Sequence, residues 1–231
     1  MFRPWLPAVL LSILTAHSFA VPDAVAECPV STFALGGLAQ PWSEAVLDTS
    51  VNSGGDITGR AAFDLVAGTL ALVHGGGLSP TFVVARDLFD VTGVPPGTKV
   101  VLVVELVAMG TVSSPGCGGS GCHGVLEGTI TAGGESAFEQ AIGTVFAPGV
   151  VPVAVAPRLA VTLVAGTPTP IEVELRGRRT PGGNHRVEAT GSYRWLGLPA
   201  GTGIVSCRGF TGAPTPVQST ASWGRVKAAY H

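Results

Sequence analysis

The sequence predicts an all-β chain: an antiparallel β-sandwich, Ig-like or jelly-roll-like, ending in a short C-terminal helix or tail. Three observations carry this. Short β-branched runs are divided throughout by turn residues, with 33 Gly and 18 Pro in 231 residues. Several runs alternate apolar and polar side chains with period two, the pattern of a half-buried strand. No alternation of strand and helix patterns is visible, which excludes a doubly wound parallel sheet.

The chain opens with a secretory signal over residues 1–20. Arg3 supplies the positive end, Trp5 to Ala16 a largely apolar stretch, and Ser18-Phe19-Ala20 the small residues of a cleavage site. Ala24-Val25-Ala26 offers a second site, so the mature chain begins at Val21 or Glu27. The apolar stretch is shorter than the ~20 residues a spanning helix needs. No transmembrane anchor is expected after cleavage.

Residues 21–210 form the sandwich domain. Ala61, Phe63 and Leu65 share one strand face with Asp64 opposite, and Gly68 separates this strand from Leu70-Ala71-Leu72-Val73. Lys99 to Met109 is almost continuously apolar, as a central strand covered on both faces is. His123 to Thr131 alternates, and the two are read as a hairpin whose tip spans Ser113 to Gly121. A second hairpin is expected where Ile171, Val173 and Leu175 alternate with Glu172, Glu174 and Arg176. Thr180-Pro181-Gly182-Gly183-Asn184 is its turn, and His185, Val187, Ala189, Tyr193 and Trp195 lie on one side of the return strand. Tyr193 and Trp195 have apolar companions on that face and are placed in the core.

Gly93-Val94-Pro95-Pro96-Gly97-Thr98 and Gly197-Leu198-Pro199-Ala200-Gly201-Thr202 echo one another as Pro-x-Gly turns between strands, which we read as reuse of a good turn. Residues 211–231 are a Pro/Thr-rich linker and a tail, in which Ser222 caps a short helix carrying Trp223, Val226 and Tyr230.

Four cysteines are an even number for an oxidising compartment, with three possible pairings. The five-residue step between Cys117 and Cys122 across Gly-Gly-Ser-Gly lets those two meet, and Cys28 with Cys207 then ties the start of the mature chain to its end. A zinc reading of Cys117, Cys122 and His123 lacks the second pair of ligands that structural zinc sites bring.

Ala62-Phe63-Asp64-Leu65-Val66-Ala67-Gly68-Thr69-Leu70, then Phe89-Asp90-Val91-Thr92-Gly93-Val94-Pro95-Pro96-Gly97-Thr98, then the long apolar strand, resemble exported bacterial β-sandwich proteins of the kind often carrying a PEP-CTERM-like sorting anchor. The resemblance covers about residues 58–135 and rests on turn chemistry. The hydrophobic anchor and basic end of that pattern are absent here. The resemblance implies an extracellular or matrix-associated role and brings no catalytic residues.

Charged residues make up 12% of the chain, about half the usual ~25%, and the net charge is −2. No basic excess exists to neutralise phosphates, so nucleic acid is not an expected partner. His74-Gly75-Gly76-Gly77 suggests an oxyanion hole but has no Gly-x-Ser-x-Gly partner and reads as a glycine turn after a strand. Glu105, Glu127, Glu135 and Glu139 include candidate carboxylates for glycoside hydrolysis. Glu105 stands out because its strand is otherwise apolar, although an outward or satisfied position explains it as well. Asp48, Asn52 and Asp56 make an oxygen-rich stretch and a weak Ca²⁺ candidate. Arg176, Arg178, Arg179 and Arg186 cluster around one turn and are candidate ligands for an anionic glycan, with Trp42 as a sugar-stacking aromatic.

The reading is therefore a non-enzymatic protein, secreted, periplasmic or on the bacterial cell surface, with a structural, matrix or adhesion role. A carbohydrate-binding module is the alternative, and a secreted glycan-active hydrolase the second. Expected partners are cell-envelope or matrix components, or glycans; no cofactor beyond the Ca²⁺ candidate is expected.

Overall fold

The computed structural model describes residues 27–35, 37–53, 56–75, 80–115, 121–179 and 185–212, with residues 52, 53, 56 and 57 described by their backbone alone. The expected signal segment, the Cys117 end of the expected disulfide loop, the turn at 180–184 and the C-terminal helix lie outside the described residues. Fifteen strands follow in order: β1 (Ser31–Leu35), β2 (Gln40–Trp42), β3 (Val46–Ser53), β4 (Asp56–Asp64), β5 (Thr69–Gly75), β6 (Thr81–Thr92), β7 (Lys99–Ser114), β8 (Cys122–Ala132), β9 (Glu135–Val145), β10 (Gly149–Val155), β11 (Arg158–Val164), β12 (Thr169–Arg179), β13 (Arg186–Leu196), β14 (Gly203–Ser206) and β15 (Thr211–Gly212).

They form two antiparallel sheets. The eight-stranded sheet runs β15-β14-β6-β12-β8-β9, with β1 and then β2 added beside the first half of β6. The seven-stranded sheet runs β10-β7-β13-β5-β4-β3, with β11 beside the first half of β7. Each sheet is thus built on one long strand whose edge is shared by two short ones: β1 and β14 on β6, β11 and β10 on β7. The inner faces meet in one core containing Val83, Phe89, Leu102, Leu106, Leu126, Ile130, Leu175 and Val187. This is the sandwich the sequence predicts.

Both expected hairpins are corrected. β7 lies in the seven-stranded sheet and β8 in the eight-stranded one, and β12 and β13 are split in the same way. In each pair the apolar faces look at one another across the core. The alternation that signals a hairpin is equally that of two strands facing each other from opposite sheets. Charged residues of these two strands pair outside the supposed hairpin: Glu172 takes Arg86, Arg178 takes Glu127, and Arg194 takes Glu105. The near-continuous apolarity of β7 is also not double coverage. Val101 and Met109, on its outer face, are 66% and 67% exposed.

The two echoed turns adopt one geometry. Gly93 and Gly97 have φ of 82°, and Gly197 and Gly201 have φ of 82° and 80°. In each turn the Thr N–H donates to the carbonyl of the Pro three residues earlier, at 3.1 Å in both Thr98–Pro95 and Thr202–Pro199. Both carry the chain between sheets, from β6 to β7 and from β13 to β14.

At one end the sheets approach closely because small residues receive a large one. Cross-strand neighbours Gly124 and Gly143 face Val112 of β7, and a Cβ added to either would stand 2.7 or 2.6 Å from its methyl groups. Near the other end Phe89, Tyr193, Trp195 and Phe210 pack together, with ring centroids 5.3 to 6.2 Å apart. The core positions expected for Tyr193 and Trp195 are as found, both being buried. The expected Cys28–Cys207 disulfide is formed. Cys122 is buried and disulfide-bonded too.

Candidate functional site

The small side chains of three central strands leave an open groove of about 610 Å³ on the outer face of the seven-stranded sheet. That size falls within the usual range for ligand sites, roughly 300–1,000 Å³. Its geometry follows from register. Asp48, Ala62, Ala71, Thr190 and Met109 are successive cross-strand partners on β3, β4, β5, β13 and β7, forming one row across five strands. Four interstrand steps at ~4.8 Å give the row a length of about 19 Å. The next row is Val46, Asp64, Thr69, Ser192 and Val107.

The floor is therefore methyl groups and hydroxyls, with Thr69, Thr190 and Ser192 exposed. One wall carries the Asp48–Arg60 ion pair, in which Arg60 Nε and Nη2 donate to the two carboxylate oxygens at 2.9 and 2.8 Å. That guanidinium holds the Asp48 carboxyl below its ordinary range. Asp64 Oδ1 accepts the N–H groups of Val66 and Ala67, both at 2.9 Å, and so pins the turn into β5. Met109 forms the opposite, apolar wall. The backbone N–H and C=O groups of β4, β5 and β13 are used in ladders on both sides. A ligand on the floor must bond through side chains.

Next along the strands from Ser192 and Val107 comes a triad of cross-strand partners, Arg194, Glu105 and Arg158. Glu105 is 1% exposed although it lies on the outer face, because the two arginines cover it. Arg158 Nε donates to Oε1 at 2.5 Å and Arg194 Nε to Oε2 at 2.6 Å, and an Nη2 of each adds a second contact to the same oxygen. Glu105 is the satisfied polar residue that its apolar strand allowed for. The other carboxylates considered for hydrolysis are also placed. Glu127 pairs with Arg178, Glu139 accepts the Ala156 N–H at 2.7 Å, and Glu135 is exposed at the start of β9.

The arginines expected to cluster are distributed over the fold. Arg176 and Arg178 lie on the outer face of the eight-stranded sheet, paired with Glu174 and Glu127. Arg186 is on the other sheet with Glu188 at 3.1 Å, and Arg179 ends β12 on the core side, near His74. Trp42 is half-buried, meets Phe33 edge-on and donates its Nε1–H to Val46 O at 2.8 Å. Of the calcium candidates, Asp48 is held by Arg60, while the side chains of Asn52 and Asp56 lie outside the described residues. The stretch that holds them is the β3–β4 hairpin rather than a loop, with Asn52 opposite Ile57.

Two buried polar clusters flank the core. His74, the penultimate residue of β5, faces inward and is 1% exposed, with Nδ1 3.2 Å from Thr81 Oγ1, and its ring is not an oxyanion-hole element open to solvent. Burial, helped by Arg179 and His185, lowers its pKa to about 4. On β6, Asp87 is buried and accepts from Ser206 Oγ at 2.5 Å and from the N–H groups of Leu88 and Arg208. Desolvation raises its pKa. Among the described residues, Asp87 with Cys28 and Cys207 is the one grouping of His, Cys, Asp or Glu side chains close enough to hold a metal, their ligand atoms lying within 4.8 Å of one another. Both sulfurs are consumed by the disulfide.

The groove residues Ala62, Ala71, Thr190, Ser192 and Met109, and the clamp arginines Arg158 and Arg194, were not singled out by sequence reasoning. The available signal was small or hydroxylated residues at outward positions of alternating strands. That pattern does not encode strand order, which decides what they line.

The fold and site together define an antiparallel β-sandwich with an open groove on one outer face. No protein-family model matches the chain, and no curated protein matches it. Among solved structures the chain is similar to the protein described as Family 16 Carbohydrate Binding Module-2, at 11% identity and a TM-score of 0.23, over 68% of this chain and 88% of that one.

Proposed function

We propose that the chain is an exported, non-enzymatic β-sandwich with an adhesion role at the cell surface or in the extracellular matrix. It adheres by laying an extended polysaccharide strand in the groove of the seven-stranded sheet. The observation that carries this is the row Asp48–Ala62–Ala71–Thr190–Met109: a floor without bulky side chains, five strands wide, edged by a fixed donor–acceptor pair and an exposed thioether.

Sugars suit such a floor. Thr69, Thr190 and Ser192 hydroxyls donate and accept, the Asp48–Arg60 pair presents oxygens beside N–H groups, and the methyls of Ala71 and Met109 meet the apolar faces of sugar rings. A peptide lacks a free backbone edge to add to on this floor. The Cys28–Cys207 disulfide fits an oxidising compartment. No helix among the described residues is long and apolar enough to cross a membrane.

The test is retention on a panel of insoluble polysaccharides, comparing the native chain with Ala71→Phe. That change fills the groove floor from an outward-facing strand position. Retention lost by the variant with its thermal unfolding unchanged is expected. Equal retention by both proteins would overturn the reading.

A further inference from the structure

We infer that the Arg158–Glu105–Arg194 clamp is an acidic-sugar subsite at the end of the groove, which takes the carboxylate or sulfate substituent of an anionic polysaccharide. The inference rests on the groove reading and names its ligand class.

Position is the first argument. Arg194 follows Ser192 by two residues on β13, and Glu105 precedes Val107 by two on β7, so clamp and groove are adjacent rows of one face. Adjacent same-face positions on a strand are about 6.6 Å apart, within reach of one sugar substituent.

Charge is the second. Two guanidinium groups share one carboxylate, leaving the triad at +1. The carboxylate is 1% exposed, whereas the Arg158 and Arg194 side chains are 63% and 52% exposed. An approaching anion therefore meets cations and not Glu105.

Pre-organisation is the third. Each arginine gives Nε and Nη2 to a separate oxygen of Glu105, which fixes both planes and leaves each Nη1 group outside the triad's own bonds. Carboxylates and sulfates match such planar donor forks. The neighbours on β7 are Val103 and Val107, so the cations stand on apolar ground that sharpens their field. The groove's acidic groups, Asp48 and Asp64, lie on β3 and β4 at its far side, the first neutralised by Arg60 and the second bonded to backbone N–H groups.

The experiment measures binding of the full disulfide-bonded protein to soluble polygalacturonate, its fully methyl-esterified form and a sulfated galactan, using Arg158→Gln, Arg158→Lys, Arg194→Gln and Ala71→Phe. We expect the free-acid polymer, the sulfated polymer or both to bind at least tenfold tighter than the ester, with the ratio between them identifying the anion. Arg158→Gln and Arg194→Gln should each remove most of that preference and flatten the salt dependence. Arg158→Lys should restore part of it, which a purely structural arginine would not do. No preference for either anionic polymer, or a preference intact in both Gln variants, overturns the inference. If in addition Ala71→Phe abolishes binding to every polymer, the groove reading survives without it. Anionic preference that persists in Ala71→Phe and disappears in the Gln variants upholds the clamp and removes the groove.

Discussion

Gly93 turns the side on which other residues carry a Cβ directly against the carbonyl oxygen of Gly201, so that the two matching crossover turns touch at one end of the sandwich. A side chain at Gly93 would fall inside the envelope of that oxygen, and Gly93 also has φ of 82°. Gly97, in the same turn and at the same φ, has nothing within 4 Å of where its Cβ would stand. The pair separates two effects. Gly97→Ala should cost the left-handed backbone penalty alone, about 1–2 kcal/mol. Gly93→Ala adds a backbone collision that only separating the turns can relieve, and should cost about 3 kcal/mol or more. Thermal unfolding of the two variants checks this, at about 2–4 °C per kcal/mol for a chain of this size.

The Cys28–Cys207 disulfide closes nearly the whole described chain, with a sequence separation of 179. In the chain-entropy model so long a loop stabilises by about 5 kcal/mol, and removal of native disulfides typically costs about 2–5. Its surroundings are built for it. Asp87 bonds Ser206 and the Arg208 N–H on either side of Cys207, while Phe210 N–H donates to Ser206 Oγ at 3.0 Å. The double change Cys28→Ser with Cys207→Ser should lower the denaturant midpoint by an amount in that range. Asp87→Ala in the disulfide-intact protein should cost about 1–2 kcal/mol by taking their acceptor from the half-buried Ser206 hydroxyl and Arg208 N–H. Equilibrium urea unfolding of both proteins is the measurement.

The sandwich class was legible because period-two alternation and turn residues are local signals. The disulfide between the ends was legible from cysteine number and spacing. Which strands lie side by side was not. The run through Glu172, Glu174 and Arg176 and the return through Arg186 to Trp195 carry the same alternation whether they pair within a sheet or face each other across a core. Turn chemistry at 180–184 permits both. The groove was illegible for the same reason, since Ala62, Ala71 and Thr190 become neighbours only once β5 is known to lie between β4 and β13. Glu105 was conspicuous in sequence, but its two arginines lie 53 and 89 residues away, beyond any local pattern.

His74 makes stability depend on pH. Its pKa is about 4 in the fold against an ordinary value of 6.5, so between those values the unfolded chain binds the proton and the folded one resists it. Stability contributed by the neutral, buried ring is complete above about pH 6.5 and is lost as the pH falls toward 4, amounting to about 3 kcal/mol at the acid end. The groups facing it are the Arg179 guanidinium and the His185 ring, which oppose protonation, and the Thr81 hydroxyl. His74→Gln, which keeps a polar head near Thr81 and cannot charge, should flatten the stability profile over this window. Urea unfolding at several pH values from 7 to 4 checks it, and an unchanged slope in the variant would assign the acid sensitivity to other groups.

Glu105 supplies the sharpest contrast between a structural and a catalytic carboxylate. Each oxygen is contacted by two nitrogens of one arginine, and the whole group lies beneath them. Glu105→Gln removes the charge while keeping the shape. One arginine then faces the remaining carbonyl, the other meets an amide that also donates, and the two cations are left adjacent without a counter-charge. Breaking a buried ion pair costs roughly 3–5 kcal/mol. The exposure of both arginines lets water and salt screen them, which reduces the expected loss to about 2–3 kcal/mol, or about 5–10 °C in thermal midpoint. Because the residual repulsion is between exposed cations, added salt should recover part of the loss in the variant while leaving the native protein nearly unchanged. Arg158→Gln should cost less, about 1 kcal/mol, since Arg194 continues to hold Glu105. Melting curves of the three proteins at low and high salt decide the matter: a Glu105→Gln chain as stable as the native one would mean that the clamp contributes nothing to the fold.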